Sequence, residues 1–145
     1  MNRDTVETRD RYNLYRPIQT RWSDNDVYRH VNNVVYYAWF DTAINGWLIE
    51  QGMLDIVSSP VIGLVVETGC RYARSISYPE PVEAGLRVAH IGRSSVRYEV
   101  GLFTRDHEEA AAAGFFIHVY VDRETMRPAP LPDALRACLE TIRSA

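Results

Sequence analysis

Between Val34 and Gln51 the apolar residues Tyr36, Phe40, Ile44, Trp47 and Leu48 recur at the spacing that lines one face of an α-helix. Gly52 follows where a glycine commonly ends a helix. The first two turns, Val34 to Phe40, are apolar or aromatic on every side, so protein rather than water is expected to surround them. Elsewhere the pattern changes to that of strands. Tyr15 to Trp22 mixes aromatic, β-branched and charged residues in near alternation, with Pro17 near its beginning, and reads as a first strand. Val61 to Ser77, Val82 to Ile91, Val96 to Thr104 and Ala110 to Asp122 are rich in β-branched and aromatic residues. Their breaks fall at Pro79 and Pro81, at Gly92, and at the charged turn Arg105 to Glu109, each short enough for an antiparallel hairpin. Arg123 to Pro132 is a proline-punctuated connector, and Pro132 with Asp133 can start a last helix through about Arg143.

The order is therefore one strand, a long helix, four strands and a short helix. It predicts an α+β architecture in which an antiparallel sheet curls around the long helix. The 145 residues are expected to form a single domain spanning 1–145, with about 1–13 as a polar N-terminal extension.

Composition narrows the function classes. A net charge of −3 provides no general attraction to nucleic acid or to an anionic membrane, so neither is expected as a partner. Cys70 and Cys138 lie far apart and form no C-x-x-C pair, which argues against a disulfide framework and a cysteine-rich zinc site and suits a reducing cytosol. No apolar run approaches membrane-spanning length, and the polar start carries no signal-peptide core. The expected location is cytoplasmic.

The chemistry concentrates in the loop Arg21-Trp22-Ser23-Asp24-Asn25-Asp26-Val27-Tyr28-Arg29-His30-Val31-Asn32-Asn33, which packs two carboxylates, an imidazole and several amides against the start of an apolar helix. The first N–H groups of that helix lack internal partners and lie at the positive end of its dipole, where a developing oxyanion would be stabilised. A carboxylate seven residues upstream could face the same point and attack a carbonyl or activate water. On residue type alone the commoner use is plainer, with Asp24 and Asp26 as turn residues and Asn32 or Asn33 as the helix cap. A metal site from Asp24, Asp26 and His30 matches no strong metal motif. His90, His107 and His118 stand isolated and read as structural or solvated. Serine-hydrolase, P-loop and dinucleotide fingerprints do not occur.

The run W-S-D-N-D-V-Y-R-H-V-N-N followed by V-V-Y-Y-A-W-F-D resembles the N-terminal signature of the 4-hydroxybenzoyl-CoA thioesterase family, in its acyl-CoA thioester hydrolase branch. The resemblance continues in order through Arg71-Tyr72, Pro79, Val82, Gly92 to Val96, His118 to Asp122, Pro128 and Pro130, about 110 positions in all. It implies the hotdog fold, a helix wrapped by an antiparallel sheet, and hydrolysis of an acyl-CoA. No cofactor is implied, CoA being part of the substrate, and acyl-carrier-protein thioesters remain an alternative substrate. The resemblance places the catalytic carboxylate on Asp26 and the carbonyl-polarising backbone N–H at or beside Asn33. Asp24, His30 and Asn32 then support the loop, and Arg93, Ser94 and Ser95 match the place where the family holds CoA phosphates.

Family members form dimers with sites between subunits, so a homodimer or a dimer of dimers (a homotetramer) is expected, with Ile62, Gly63 and Leu64 closing the pocket from the partner. Many relatives carry glycine where this chain has Arg29, so the residue either adopts a left-handed conformation at some cost or the loop is reshaped. Two other functions use the same fold: a hydratase or dehydratase, and a CoA-ester binding module without turnover. The lone histidine near the loop weighs against the first and the retained Asp26 against the second. Trp39, Phe40 and Trp47 are candidates for core or for an acyl tunnel, core being the commoner fate of aromatic residues on a buried helix.

Overall fold

The computed structural model describes residues 7–144. Five strands, β1 (Leu14–Ile18), β2 (Val61–Tyr72), β3 (Val82–Ile91), β4 (Ser95–Thr104) and β5 (Ala112–Asp122), form one antiparallel sheet in the order β1-β3-β4-β5-β2. The long helix α1 (Asn33–Glu50) lies across its concave face, and the short helix α2 (Asp133–Glu140) closes the far end. This is the α+β architecture expected from the hydrophobic periodicity, and the hotdog fold that the family resemblance implied.

Helix α1 buries Tyr36, Trp39, Phe40, Ala43, Ile44, Trp47 and Leu48, a stripe repeating every three and four residues. Each such aromatic or aliphatic side chain contributes about 2–3 kcal/mol when fully withdrawn from water. The aromatic residues Trp39, Phe40 and Trp47 are core. The sheet accommodates the helix by removing a side chain beneath it: a Cβ on Gly114 would lie 2.6 Å from Phe40 Cε2. The opposite face of α1 is not wrapped in the single chain, and Val34 is 69% exposed. The sequence expectation of a helix enclosed on all sides is thus corrected to one buried on a single stripe.

Two element boundaries also differ from expectation. β1 stops at Ile18 instead of Trp22, because the Asp24 carboxylate takes the Arg21 N–H (2.7 Å) and folds Trp22–Asp24 into a single 3₁₀ turn. β2 stops at Tyr72 instead of Ser77, because Ala73 and Arg74 both donate their N–H groups to the Ala111 carbonyl (2.8 and 3.1 Å) and the chain leaves the ladder. The expected hairpin between β2 and β3 is not formed. β2 pairs with β5 at one edge while β3 sits between β1 and β4, and the fully buried Ile76 anchors the connection crossing between them. The turns at Gly92 and at Arg105 to Glu109 do make hairpins.

Of the expected polar extension, Met1 to Val6 lie outside the described residues. Glu7 to Asn13 pack against the convex face of the sheet, where Arg87 bridges Glu7 and Glu99 and its guanidinium sits 4.5 Å from the centre of the Tyr12 ring.

Candidate active site

The loop from Asn25 to Val31 is a miniature hairpin. Asn25 and Val31 form a β-bridge, the Asp26 N–H donates to the His30 carbonyl (2.8 Å), and the Arg29 N–H donates back to the Asp26 carbonyl (3.0 Å). This leaves Val27-Tyr28-Arg29 as a three-residue loop, a type that ends on a left-handed residue. Arg29 has φ +65°, so the side chain tolerates the left-handed conformation and the loop keeps its shape. Ser77 Oγ fixes it there by donating to the Arg29 carbonyl (2.7 Å), and the Val31 N–H reaches the Ile76 carbonyl (2.7 Å).

The two aspartates separate in role. Asp24 is 1% exposed, with its carboxylate taken by the Arg21 N–H (2.7 Å) and guanidinium (2.9 and 3.1 Å) and its carbonyl by the Asn32 N–H (3.0 Å). It holds the loop to the helix start and is turned away from the groove. Asp26 is half-buried. One of its oxygens accepts the Tyr28 N–H (2.8 Å), while Oδ2 has no protein hydrogen-bond partner among the described residues. His30 contributes its backbone carbonyl to the loop and leaves its imidazole exposed.

Asn32 caps α1, its side-chain oxygen accepting the Val34 N–H (3.0 Å) and its carbonyl the Val35 N–H (2.9 Å). Capping therefore satisfies the second and third N–H groups of the helix and passes over the first. The Asn33 N–H has no protein acceptor among the described residues. Asp26 and Asn33 line one open groove of about 610 Å³, together with His30, Tyr36, Tyr72 and Arg74. The groove thus combines a carboxylate oxygen with an unpaired N–H at the positive end of an eighteen-residue helix. Such a pair can bind an electrophilic carbonyl and accept the negative charge that forms on it.

Sequence reasoning assigned no role to the second wall of the groove, formed by Tyr72 and the residues just after it. Tyr72 stacks edge-on against Tyr36 with ring centres 5.0 Å apart, and its hydroxyl donates to the Asn33 carbonyl at 3.4 Å. Burial raises the pKa of its phenol well above the usual range, so it stays a donor. Both fall within the stretches that carry the family resemblance, but their meeting depends on a long-range chain crossing that local pattern does not reveal.

Arg93, Ser94 and Ser95 form the tight turn before β4, where the Gly92 N–H donates to the Ser95 carbonyl (2.7 Å). Their carbonyls anchor neighbours, Arg93 holding the Leu131 N–H and Ser94 the Tyr120 N–H, while the Arg93 side chain is exposed. The groove lies toward the other end of β4, beside the Leu102–Ala112–Tyr72 row of the sheet. Seven residues separate the two along the strand, roughly 23 Å at the usual rise. Within one chain the structure does not bring Arg93 and Asp26 together.

Among the described residues no group of three or more His, Cys, Asp or Glu is arranged to hold a metal ion, and no helix is long and apolar enough to cross a membrane. Cys70 and Cys138 are free thiols.

Fold and groove together define a hotdog protein in which an aspartate and the first residue of the central helix line one groove. The sequence profile of the thioesterase-like superfamily matches residues 20–139, and the chain belongs to that superfamily. Among solved structures it is similar to the PA5185 protein of Pseudomonas aeruginosa, with 51% identity, 97% of this chain and 98% of the other covered, and a TM-score of 0.93. The PA2801 protein of the same organism, a candidate thioesterase, is 28% identical over 86% of this chain and 96% of its own, with a TM-score of 0.80. A 1,4-dihydroxy-2-naphthoyl-CoA thioesterase from Synechocystis shares the fold, with a TM-score of 0.78 at 14% identity over 86% of this chain and 93% of the other. No curated protein matches the chain.

Proposed function

We propose that the protein is an acyl-CoA thioesterase of the acyl-CoA thioester hydrolase branch of the 4-hydroxybenzoyl-CoA thioesterase family. The observation that carries this reading is that Asp26, with one carboxylate oxygen uncommitted, and the unpaired N–H of Asn33 line the same groove. The Asn33 N–H receives the thioester oxygen as it gains charge. Asp26 either attacks the carbonyl carbon, giving an anhydride that water then opens, or removes a proton from the attacking water. In both cases the thiolate of CoA leaves and takes up a proton, and the products are a carboxylic acid and CoA. Tyr72 orients the helix start through the Asn33 carbonyl.

The working unit in this reading is a homodimer or a dimer of dimers. β2 is a twelve-residue edge strand carrying Leu64, Val65 and Val66 at 37, 45 and 60% exposure, and an unpaired edge of that length and polarity calls for a partner. Val34 on α1 and Val27 and Tyr28 at the loop tip are exposed as well, so the groove's rim is also apolar. Two β2 strands paired antiparallel about a two-fold axis would set the first residues of one against the last of the other, bringing Ile62, Gly63 and Leu64 of one subunit to the groove of its partner. Arg93, Ser94 and Ser95 would then meet the CoA phosphates of a substrate whose thioester lies at another subunit's Asp26.

A panel of acyl-CoA esters of differing chain length, with released thiol as the readout and acyl-carrier-protein esters run in parallel, tests the activity. Turnover of CoA esters supports the reading, and absence of turnover across the panel rejects it.

A further inference from the structure

The second wall of the Asp26 groove carries a charge that the proposed chemistry leaves unused. Arg74 lines the groove with Tyr36 and Tyr72 and is half-buried. Its Nη2 donates to the Glu109 carbonyl at 3.3 Å, the one hydrogen bond of its side chain among the described residues. Arg9, Arg16, Arg87 and Arg97 all pair with glutamates, whereas Arg74 has no carboxylate partner among the described residues. A guanidinium presents five N–H donors in a planar fork and is always charged. Drawn partly out of water with a single neutral acceptor, it has donors and a positive charge still to be met.

The backbone fixes where this charge stands. The Ala73 and Arg74 N–H groups share the Ala111 carbonyl, and two residues further on the fully buried Ile76 takes the Val31 N–H on its own carbonyl (2.7 Å). The Cα of Arg74 is therefore within roughly 7 Å of the residue that ties down the end of the Asp26 loop. Burial raises the pKa of the Tyr36 phenol, and the Arg74 charge is among the influences that oppose the rise, so the guanidinium lies near that hydroxyl.

The natural occupant of such a place is an anion, and the rest of the groove indicates its source. Asp26 and Asn33, which meet the thioester carbonyl in the reading above, line the same groove. The phosphates of CoA are separated from the sulfur by the whole pantetheine arm, so a cation beside the thioester faces the acyl side of the substrate and not the nucleotide. An acyl chain ending in a methyl group or an aromatic ring would leave the guanidinium unmatched. A carboxylate takes the fork on both oxygens, and Arg74 offsets the repulsion that Asp26 exerts on a second anion in the same groove. Resting on the thioesterase reading above, we infer that the preferred substrates are CoA monothioesters of short dicarboxylic acids, and that Arg74 selects them by binding the free carboxylate.

The test is binding, which needs no turnover. Non-hydrolysable S-alkyl-CoA thioethers with chains of three to six carbons, each ending in a carboxylate or in the neutral amide of the same shape, are titrated calorimetrically into wild type, Arg74→Met and Arg74→Lys. At one chain length or more the carboxylate should bind wild type about tenfold or more tightly than the amide, the scale of a charge-assisted hydrogen bond. In Arg74→Met that ratio should fall to one or below, because Asp26 then repels the carboxylate unopposed. Arg74→Lys keeps the charge without the fork and should retain part of the preference. Equal binding of the two ends at every length by wild type overturns the inference, as does a preference that survives in Arg74→Met. A wild type that binds no member of the series overturns it too. The thioesterase reading is judged separately: turnover of any ester on the panel beside equal binding here rejects the inference alone, and a silent panel rejects hydrolysis and leaves the binding preference to stand or fall by itself.

Discussion

Arg29 shows how a single residue records the shape of the loop around it. Its φ of +65° places a side chain where the Cβ crowds the following carbonyl. The position is kept because the Asp26 carbonyl, the His30 carbonyl and Ser77 Oγ determine the turn from three sides. Arg29→Gly removes the crowding, and the expected outcome is a gain of about 0.5–1 kcal/mol, seen as a rise of a few degrees in the thermal midpoint. A fall would mean that the arginine side chain stabilises the loop by more than its backbone costs. Asp24 is the opposite case, a carboxylate whose whole hydrogen-bonding capacity is spent inside the loop. The sequence presented Asp24 and Asp26 as a pair of like residues two apart. What distinguishes them is that Arg21 folds back on both oxygens of the first, whereas the second receives only the Tyr28 N–H on one oxygen, and no pattern in the chain encodes that.

At the scale of elements, α1 was legible because seven core positions keep a helical period and Asn32 and Gly52 bracket them, and β3, β4 and β5 were legible because turn residues separate their apolar runs. The end of β2 and its partner were not. Val61 to Ser77 reads as one strand by composition, and only the two N–H groups that share the Ala111 carbonyl end it at Tyr72. The same long-range crossing brings Tyr72 to Asn33, which is why half of the groove was invisible to local reasoning while Asp26, Asn32 and Asn33 were not. His118 was read as structural or solvated, and its lack of a hydrogen-bond partner among the described residues emerges only from the structure. The fit between helix and sheet depends on Gly114, and Gly114→Ala would force a methyl into the Phe40 ring and toward the Gly69 carbonyl. Denaturant unfolding should show a loss of about 2–3 kcal/mol, the scale of an overpacked core. A loss below about 0.5 kcal/mol would show that the helix can slide away from the sheet, against the close packing described above.

In the proposed reading the whole molecule is half of a site. Its groove is open, its rim and edge strand are apolar, and its Arg93 turn lies toward the other end of the sheet from Asp26. Light scattering at micromolar concentration is expected to give a dimer or tetramer, and a monomer would remove the shared site. Arg93→Ala should raise KM for an acyl-CoA and leave kcat nearly unchanged, because the phosphates are remote from the bond being cut; an unaltered KM would detach Arg93 from CoA. The central claim is that Asp26 performs the chemistry while Asp24 only supports the loop, and the measurement that bears on it most directly is kcat for thiol release by Asp26→Asn beside Asp24→Asn. Asp26→Asn should stay folded, keep binding the acyl-CoA and lose a factor of about 10² or more in kcat. Asp24→Asn should be less stable, by about 1–3 kcal/mol for a buried group left without its partner, yet keep most of its turnover. Near-normal kcat in a well-folded Asp26→Asn protein would contradict the account.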